Sequence, residues 1–450
     1  MSNTALAQQQ TDFQILSAVI SSDRNVVGID IAKVISDFVI YEHIEKAYLT
    51  ARFLFIDQEN IVQDMDFQGG EKLTLTLQHS EERITGNEIV KVFLIDKIDN
   101  IFKVDERNES VFIHCIEYHA FESAAQNISK SYSGAPSKII KKILEEFLDK
   151  ELLIDDVDAI NDLKVIIPNL DPIEACNWLK KRVLSQSGLP FYLYSALGVN
   201  NLVLKSLDKM LTQSPLNLNT PYIYAPSITS NDAGAQKQYL IESYEYNEGE
   251  KLMPLVMEGL VGAEYQFFNT MTGTPTKIHF DVDEDLFGPL VLDNKLGSQN
   301  TRYNYAPGYK VKDKPLSQLD SKSITQISSS GAYKQLQGNF KSYNDESASG
   351  QHRRKAIGAA VKKFVTKTPL RITVSGREFL TGDENYTIGK TIRVLFLDNT
   401  QESGEQRPKY DQKKSGDYII FATEHIFKTE RYDVNLLLGK VASVGEEPIT

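Results

Sequence analysis

Residues Asp417–Lys428 read DYIIFATEHIFK, and residues Val92–Lys103 read VFLIDKIDNIFK. Both stretches end in Ile-Phe-Lys, and Ile95 stands where Ile420 stands. The surroundings repeat as well. Counting forward from Gly70, apolar residues fall at Leu73, Leu75 and Leu77; the same steps from Gly389 reach Ile392, Val394 and Phe396. Counting back by one common step gives Phe53 with Phe55, and Ile372 with Val374. Beyond the two Ile-Phe-Lys ends come Val111, Ile113 and Cys115 in one copy and Val434, Leu436 and Leu438 in the other, the second connection being two residues shorter. Apolar residues at every second position mark strands with one buried face. A shared spacing at both ends of the chain predicts two copies of one antiparallel β unit.

Working outward, Val34–Ile44 and Tyr48–Asp57 are rich in β-branched and aromatic residues, and Glu71–His79 follows Gly69-Gly70 as a further strand. A small closed barrel would hide the edges of so many short strands. Past Ala120 the period changes: Ile139, Ile140, Ile143, Leu144 and Phe147 recur at helical spacing after Pro136. A second helix is announced by Asp171-Pro172-Ile173-Glu174, an N-cap, a first-turn proline and an acid three residues on. Phe191–Ser195 and Asn201–Lys205 read as a hairpin, and Tyr239–Tyr246 and Glu264–Phe268 as strands. The stretch from Leu316 to Gly350 is rich in Ser, Gly, Asn, Gln and Asp, and Arg353–Phe364 reads as a helix.

The predicted class is therefore α+β, with two homologous small antiparallel β-barrels, the second one discontinuous, a middle α+β domain and a polar insertion. The predicted division is a disordered tail over 1–12, the first β-barrel over 13–118 and the α+β middle domain over 119–235. The first strands of the second barrel follow over 236–272, the polar insertion with one helix over 273–365, the remainder of the second barrel over 366–443, and a tail over 444–450.

The chain has 450 residues, 41% hydrophobic and 24% charged, as expected of a soluble multidomain protein. A net charge of −12 argues against a surface built to neutralise phosphates. Two cysteines in apolar surroundings, Cys115 and Cys176, read as buried free thiols in a reducing compartment. The polar start MSNTALAQQQTD is not a signal peptide, and no apolar run approaches the ~20 residues that span a bilayer. The protein is expected to be used without entering the secretory route.

Motifs with chemical meaning fail on inspection. Gly389-Lys390-Thr391 resembles the end of a phosphate loop, but the earlier glycine is replaced by Glu384 and a strand follows. Asp281, Asp283 and Asp285 resemble half of a calcium loop, with Leu286 in place of its glycine and Leu292 in place of its last carboxylate. Cys115, Glu117 and His119 share a face of a strand and His114 takes the other, leaving three candidate metal ligands beside the simpler reading of satisfied strand residues. Ser206 and Lys209 have acylase spacing without the companion motifs. Arg353, Arg354, Lys355, Lys362 and Lys363 read as a solvated helix face or as a contact for an acidic partner, and the lone Trp178 as packing. No catalytic, cofactor-binding or metal residue is assigned, no cofactor is expected, and the chain is read as not an enzyme.

The layout and several phrases resemble one family. They are YEHIEKAYLTARFLFID, FQGGEKLTLTL, YHAFESAAQNISKSYSGAPSKIIKKIL, NLDPIEACNWLKKRVLSQSGLPFYLYSAL and SGDYIIFATEHIFKTERYDVNLLL. They look like the baseplate hub proteins of contractile-tailed phages, the late control D proteins, and the N-terminal hub part of VgrG spikes. The resemblance covers most of Phe13–Thr270 and Pro369–Ala442. It implies a homotrimer, a pseudo-sixfold ring that joins a hexameric tail tube or tube-initiator protein to a trimeric central spike protein. Tape measure and baseplate wedge proteins are further implied partners, DNA would cross the lumen without specific binding, and the place is the virion tail baseplate, assembled in the host cytoplasm. The chain stops soon after the second barrel, unlike VgrG, which favours a hub that receives a separate spike. The alternatives are a tail-tip enzyme such as a cell-wall hydrolase, the hub of a tail-derived injection system, or an adhesive module.

Overall fold

The computed structural model describes residues 13–443, apart from segments 80–87, 104–107, 157–162, 186–188, 226–238, 247–251, 270–274, 288–309, 329–357, 359–368, 381–385 and 398–409 and single residues 23, 59, 66, 184, 412 and 430. Of the helix expected over Arg353–Phe364 only Gly358 is among the described residues; its basic residues lie outside them, as do Glu384 and Leu292.

Strands dominate. Thirteen of them form one sheet. From the N-terminus these are β1 (Phe13–Ser22), β2 (Asn25–Asp30), β3 (Ile35–His43), β4 (Thr50–Asp57), β5 (Lys72–His79), β6 (Ile89–Lys103) and β7 (Glu109–Glu117). The later ones are β8 (Tyr222–Tyr224), β9 (Ser243–Tyr246), β10 (Pro369–Ser375), β11 (Thr391–Phe396), β12 (Gly416–Lys428) and β13 (Arg431–Ser443). In β4 and β5 every second residue is buried, as the sequence alternation requires.

The order of neighbours makes the duplication plain. The path runs β9-β10-β13-β12-β3-β4-β7-β6-β5-β1-β2, with β11 pairing β12 and β8 pairing β11. One half thus contains β3-β4-β7-β6-β5 and the other β9-β10-β13-β12-β11, the same five strands in the same order. Detailed bonds agree. The Ile95 amide donates to the Glu71 carbonyl at 2.8 Å, and the Ile420 amide to the Lys390 carbonyl at 2.9 Å. The preceding glycines, Gly70 and Gly389, both have positive φ, 94° and 75°. Likeness ends at the fifth strand: β1 runs antiparallel to β5, whereas β8 runs parallel to β11.

Two expectations need correction. The Ile-Phe-Lys ends are not equivalent positions. Both long strands bulge after Ile95 and Ile420, but beyond that shared bulge β6 has an irregularity between Ile98 and Asn100, whereas the other irregularity of β12 lies before it, between Asp417 and Tyr418. Ile101 therefore faces Val111, while on the other copy it is His425 that faces Val434. Also, only Ser243–Tyr246 joins the second copy; Gly262–Asn269, expected there too, pairs instead with Pro275–Asp281 and Ser323–Ser328 in a separate sheet.

Between the copies, helices Pro136–Phe147 and Pro172–Lys180 pack Ile139, Ile140, Ile143, Leu144, Cys176 and Leu179 against Phe191 and Leu193 of a three-stranded sheet. The Asp171 carboxylate caps the second helix, accepting from the Glu174 amide at 3.0 Å. Among the described residues no helix is long and apolar enough to cross a membrane.

Candidate assembly interface

The two copies meet where β3 lies against the far half of β12. Phe38 pairs with Phe427, Val39 with Ile426, Ile40 with His425, Tyr41 with Glu424 and Glu42 with Thr423. The inward row of this seam is aromatic. Phe53, Phe38, Phe427 and Tyr432 stand on four successive strands, with centroids 5.3 Å apart in the first pair and 4.2 Å in the next two, and planes within 13° of parallel. Such cross-strand ladders each add roughly 0.5–1.5 kcal/mol per aromatic pair beyond their buried area.

A polar tier follows. Glu42 is 3% exposed, inward-facing and fully engaged. Its carboxylate accepts from the Thr423 hydroxyl at 2.6 Å and from the Leu197 amide, and lies 3.3 Å from His425 Nε2. His425 Nδ1 is in turn 2.8 Å from the Tyr432 hydroxyl. Burial pushes the Glu42 carboxyl up, but His425 and the hydrogen bonds outweigh it and hold it below the usual glutamate range. Residues 42, 197 and 423–425 come from three distant parts of the chain, so one carboxylate ties both copies to the middle region.

A second tier clamps the first copy. The Lys91 ammonium donates to the Ala196 and Val199 carbonyls at 2.8 and 2.7 Å. The Glu117 carboxylate accepts from the Leu49 amide at 2.9 Å and the Ser195 hydroxyl at 2.8 Å. Burial pulls the Lys91 and His119 pKa values down, and for Glu117 the charges of His119 and Lys91 outweigh burial and lower it. The second copy is held by Gln213, which donates to the Gly389 carbonyl at 2.8 Å, and by Asn217, which both donates to the Arg393 carbonyl and accepts its amide.

The motifs singled out in the sequence are used in this scaffolding. Ser206 caps the short helix Leu207–Thr212, accepting from the Lys209 amide at 3.1 Å and donating to Asp156 at 2.6 Å. A side chain at Gly389 would stand 2.6 Å from the Tyr194 hydroxyl, so this glycine permits close packing on the middle region. The Asp281 carboxylate accepts the Asp283 amide at 2.9 Å, and Asp285 accepts the Asp281 amide at 3.0 Å, which makes them turn caps. His114 pairs with Asp99 at 3.2 Å, away from Glu117 and His119, which lie 3.6 Å apart. Burial raises the Cys115 thiol. Among the described residues no three His, Cys, Asp or Glu side chains are grouped to hold a metal. Trp178 packs on the middle core under the Arg182 guanidinium, 3.5 Å from its ring.

A cavity of about 270 Å³ opens along the seam, lined by His43, Ile44, Glu45, Pro369, Phe421, Leu437, Leu438 and Gly439. What sequence reading missed was the role of Glu42, Thr423 and His425. Their signal was present: they occupy the inward rows of strands whose other inward members are apolar, such as Ile40 and Phe427.

No family model matches this sequence, and no curated protein matches it. Solved structures do. The fold is similar to the 43 kDa tail protein of prophage MuSo2 from Shewanella oneidensis, at 10% identity and a TM-score of 0.52, covering 94% of this chain and 98% of that one. It is also similar to a tail protein from Neisseria meningitidis MC58, at 11% identity and a TM-score of 0.51, covering 94% and 96%. Over nearly its whole length the chain has the fold of these two tail proteins.

Proposed function

We propose that this chain is the structural hub subunit of a contractile phage tail baseplate, and that it performs no chemistry. Three copies would form a ring that joins a hexameric tail tube to a trimeric central spike. The observation that carries this reading is the repeated strand order, β3-β4-β7-β6-β5 and β9-β10-β13-β12-β11. A surface that must match a sixfold partner has to repeat at that partner's spacing. Two like units per chain let three chains do so, while the chain as a whole repeats three times for the spike. In this reading residues 13–118 and, in the second copy, strands β9 to β13 act as two curled barrel walls, 119–235 braces them, and the separate sheet of Gly262–Asn269, Pro275–Asp281 and Ser323–Ser328 is an appendage. The net charge of −12 suits a lumen that DNA crosses without sticking. The place of action is the virion baseplate.

The buried carboxylates support a structural role. Glu42 and Glu117 are both consumed in hydrogen bonds that join regions of the fold. Light scattering on the purified chain, alone and with a trimeric spike protein, tests the proposal. Three chains per particle are expected in at least one condition, and a monomer in both would overturn it.

A further inference from the structure

We infer that the ring closes by strand pairing between β9 of one chain and the outer half of β6 of a second copy, in a register set by the seam inside each chain. This rests on the hub reading above and names the contact that builds it.

The internal seam supplies the template. The near half of β12 pairs with β11 through Thr391–Val394, and the far half pairs with β3 on the same edge, because β13 occupies the opposite edge throughout. β6 is built alike. Its near half pairs with β5 through Ile89–Leu94, and β7 takes the opposite edge. Among the described residues, the stretch of β6 from Asp96 to Lys103 has no strand on the edge that β3 fills on β12. Conversely β9, the counterpart of β3, ends the sheet with only β10 beside it among the described residues. Each chain thus carries one half of the same seam at each end. A head-to-tail contact of this kind can repeat around a closed ring.

Exposure agrees with the assignment. Ile101 faces Val111 in the inward row that His425 occupies on the other copy. His425 is 1% exposed and Ile101 46%. Phe102 next to it is 54% exposed. A bare strand edge carrying exposed Ile and Phe invites a further strand. On the other side, Tyr244 faces Ile372 as Phe38 faces Phe53, and Tyr246 faces Leu370 as Ile40 faces Ala51. Phe38 is 2% exposed and Ile40 fully buried, whereas Tyr244 is 36% exposed.

The register then follows by transfer. Phe38 with Phe427 becomes Tyr244 with Lys103 of the second copy, Val39 with Ile426 becomes Glu245 with Phe102, and Ile40 with His425 becomes Tyr246 with Ile101. The last row would place Leu370, Tyr246, Ile101 and Val111 side by side, an apolar tier spanning two chains.

The test is a double variant, Tyr246→Cys with Ile101→Cys, oxidised mildly and run without reductant. The native Cys115 and Cys176 are buried and serve as an internal control. Loss of the monomer band into linked dimers and trimers is expected, with neither single variant linking. Tyr244→Cys with Lys103→Cys is a second pair for the same seam. Hydrogen exchange on the unmodified chain reads the contact without any substitution, with slowed amides expected at 98–103 and 243–246 in the assembled form. A particle of three chains that links through neither pair and stays unprotected there would overturn the seam and leave the hub reading standing. A monomer with and without spike would overturn both.

Discussion

Val394→Asp is expected to abolish assembly and leave little folded chain. Val394 is fully buried in the main core, on a strand held between β12 and β8. A carboxylate placed there without a partner costs several kcal/mol or takes up a proton, against a total stability of about 5–15 kcal/mol for an ordinary domain. The duplication makes the expectation sharper. Leu75 holds the same place in the first copy and is also fully buried, so Leu75→Asp should do comparable damage. Circular dichroism melting with gel filtration reads both. A Val394→Asp chain that melts and elutes as the parent would show that the buried face of β11 has been assigned wrongly.

Glu42→Ala is expected to cost about 3–5 kcal/mol, the usual result of removing one partner from a buried polar cluster. The loss strands the Thr423 hydroxyl, the Leu197 amide and His425 in a site closed to water. Glu42→Gln should cost less, because the amide oxygen still accepts. The effect should depend on pH. The Glu42 pKa is lower in the folded chain than in the unfolded one, so its contribution is complete above the unfolded value of about 4.3 and fades as pH falls through the folded value. Urea unfolding should therefore show the parent and Glu42→Ala far apart at neutral pH and converging in acid. An equal gap at every pH, or none at pH 7, would contradict the role given to the carboxylate.

What could be read in the sequence, and what could not, follows from what a strand pattern encodes. Alternation tells which face of a strand is buried, and it placed Phe53, Phe55, Leu73, Leu75, Leu77, Val111 and Ile113 correctly inside. The Asp171 cap and the helix after Pro136 are local signals and appear where expected. Alternation does not name a neighbour. Nothing in Phe38–His43 says that its partner lies at Ala422–Phe427, so the fusion of both copies into one sheet could not be read from spacing. The same limit hid the separate sheet around Gly262–Asn269, whose partners, Pro275–Asp281 and Ser323–Ser328, both follow it in the chain. The two-residue difference in spacing between the copies is divided between a bulge in β6 and a longer connection, which a gapless comparison of the two Ile-Phe-Lys ends could not separate. The clamps at Glu42, Lys91 and Glu117 are carried by ordinary residue types. Only their inward position distinguishes them, and that position has meaning only once the strands are paired.

The duplicated unit is the centre of the account, and end-on electron microscope images of the purified ring, alone or seated on a spike, examine it directly. Six similar lobes of density are expected around one axis, alternating slightly between two kinds so that the exact symmetry is threefold. A ring of three lobes, or particles with no ring, would contradict the idea that each chain contributes two equivalent walls.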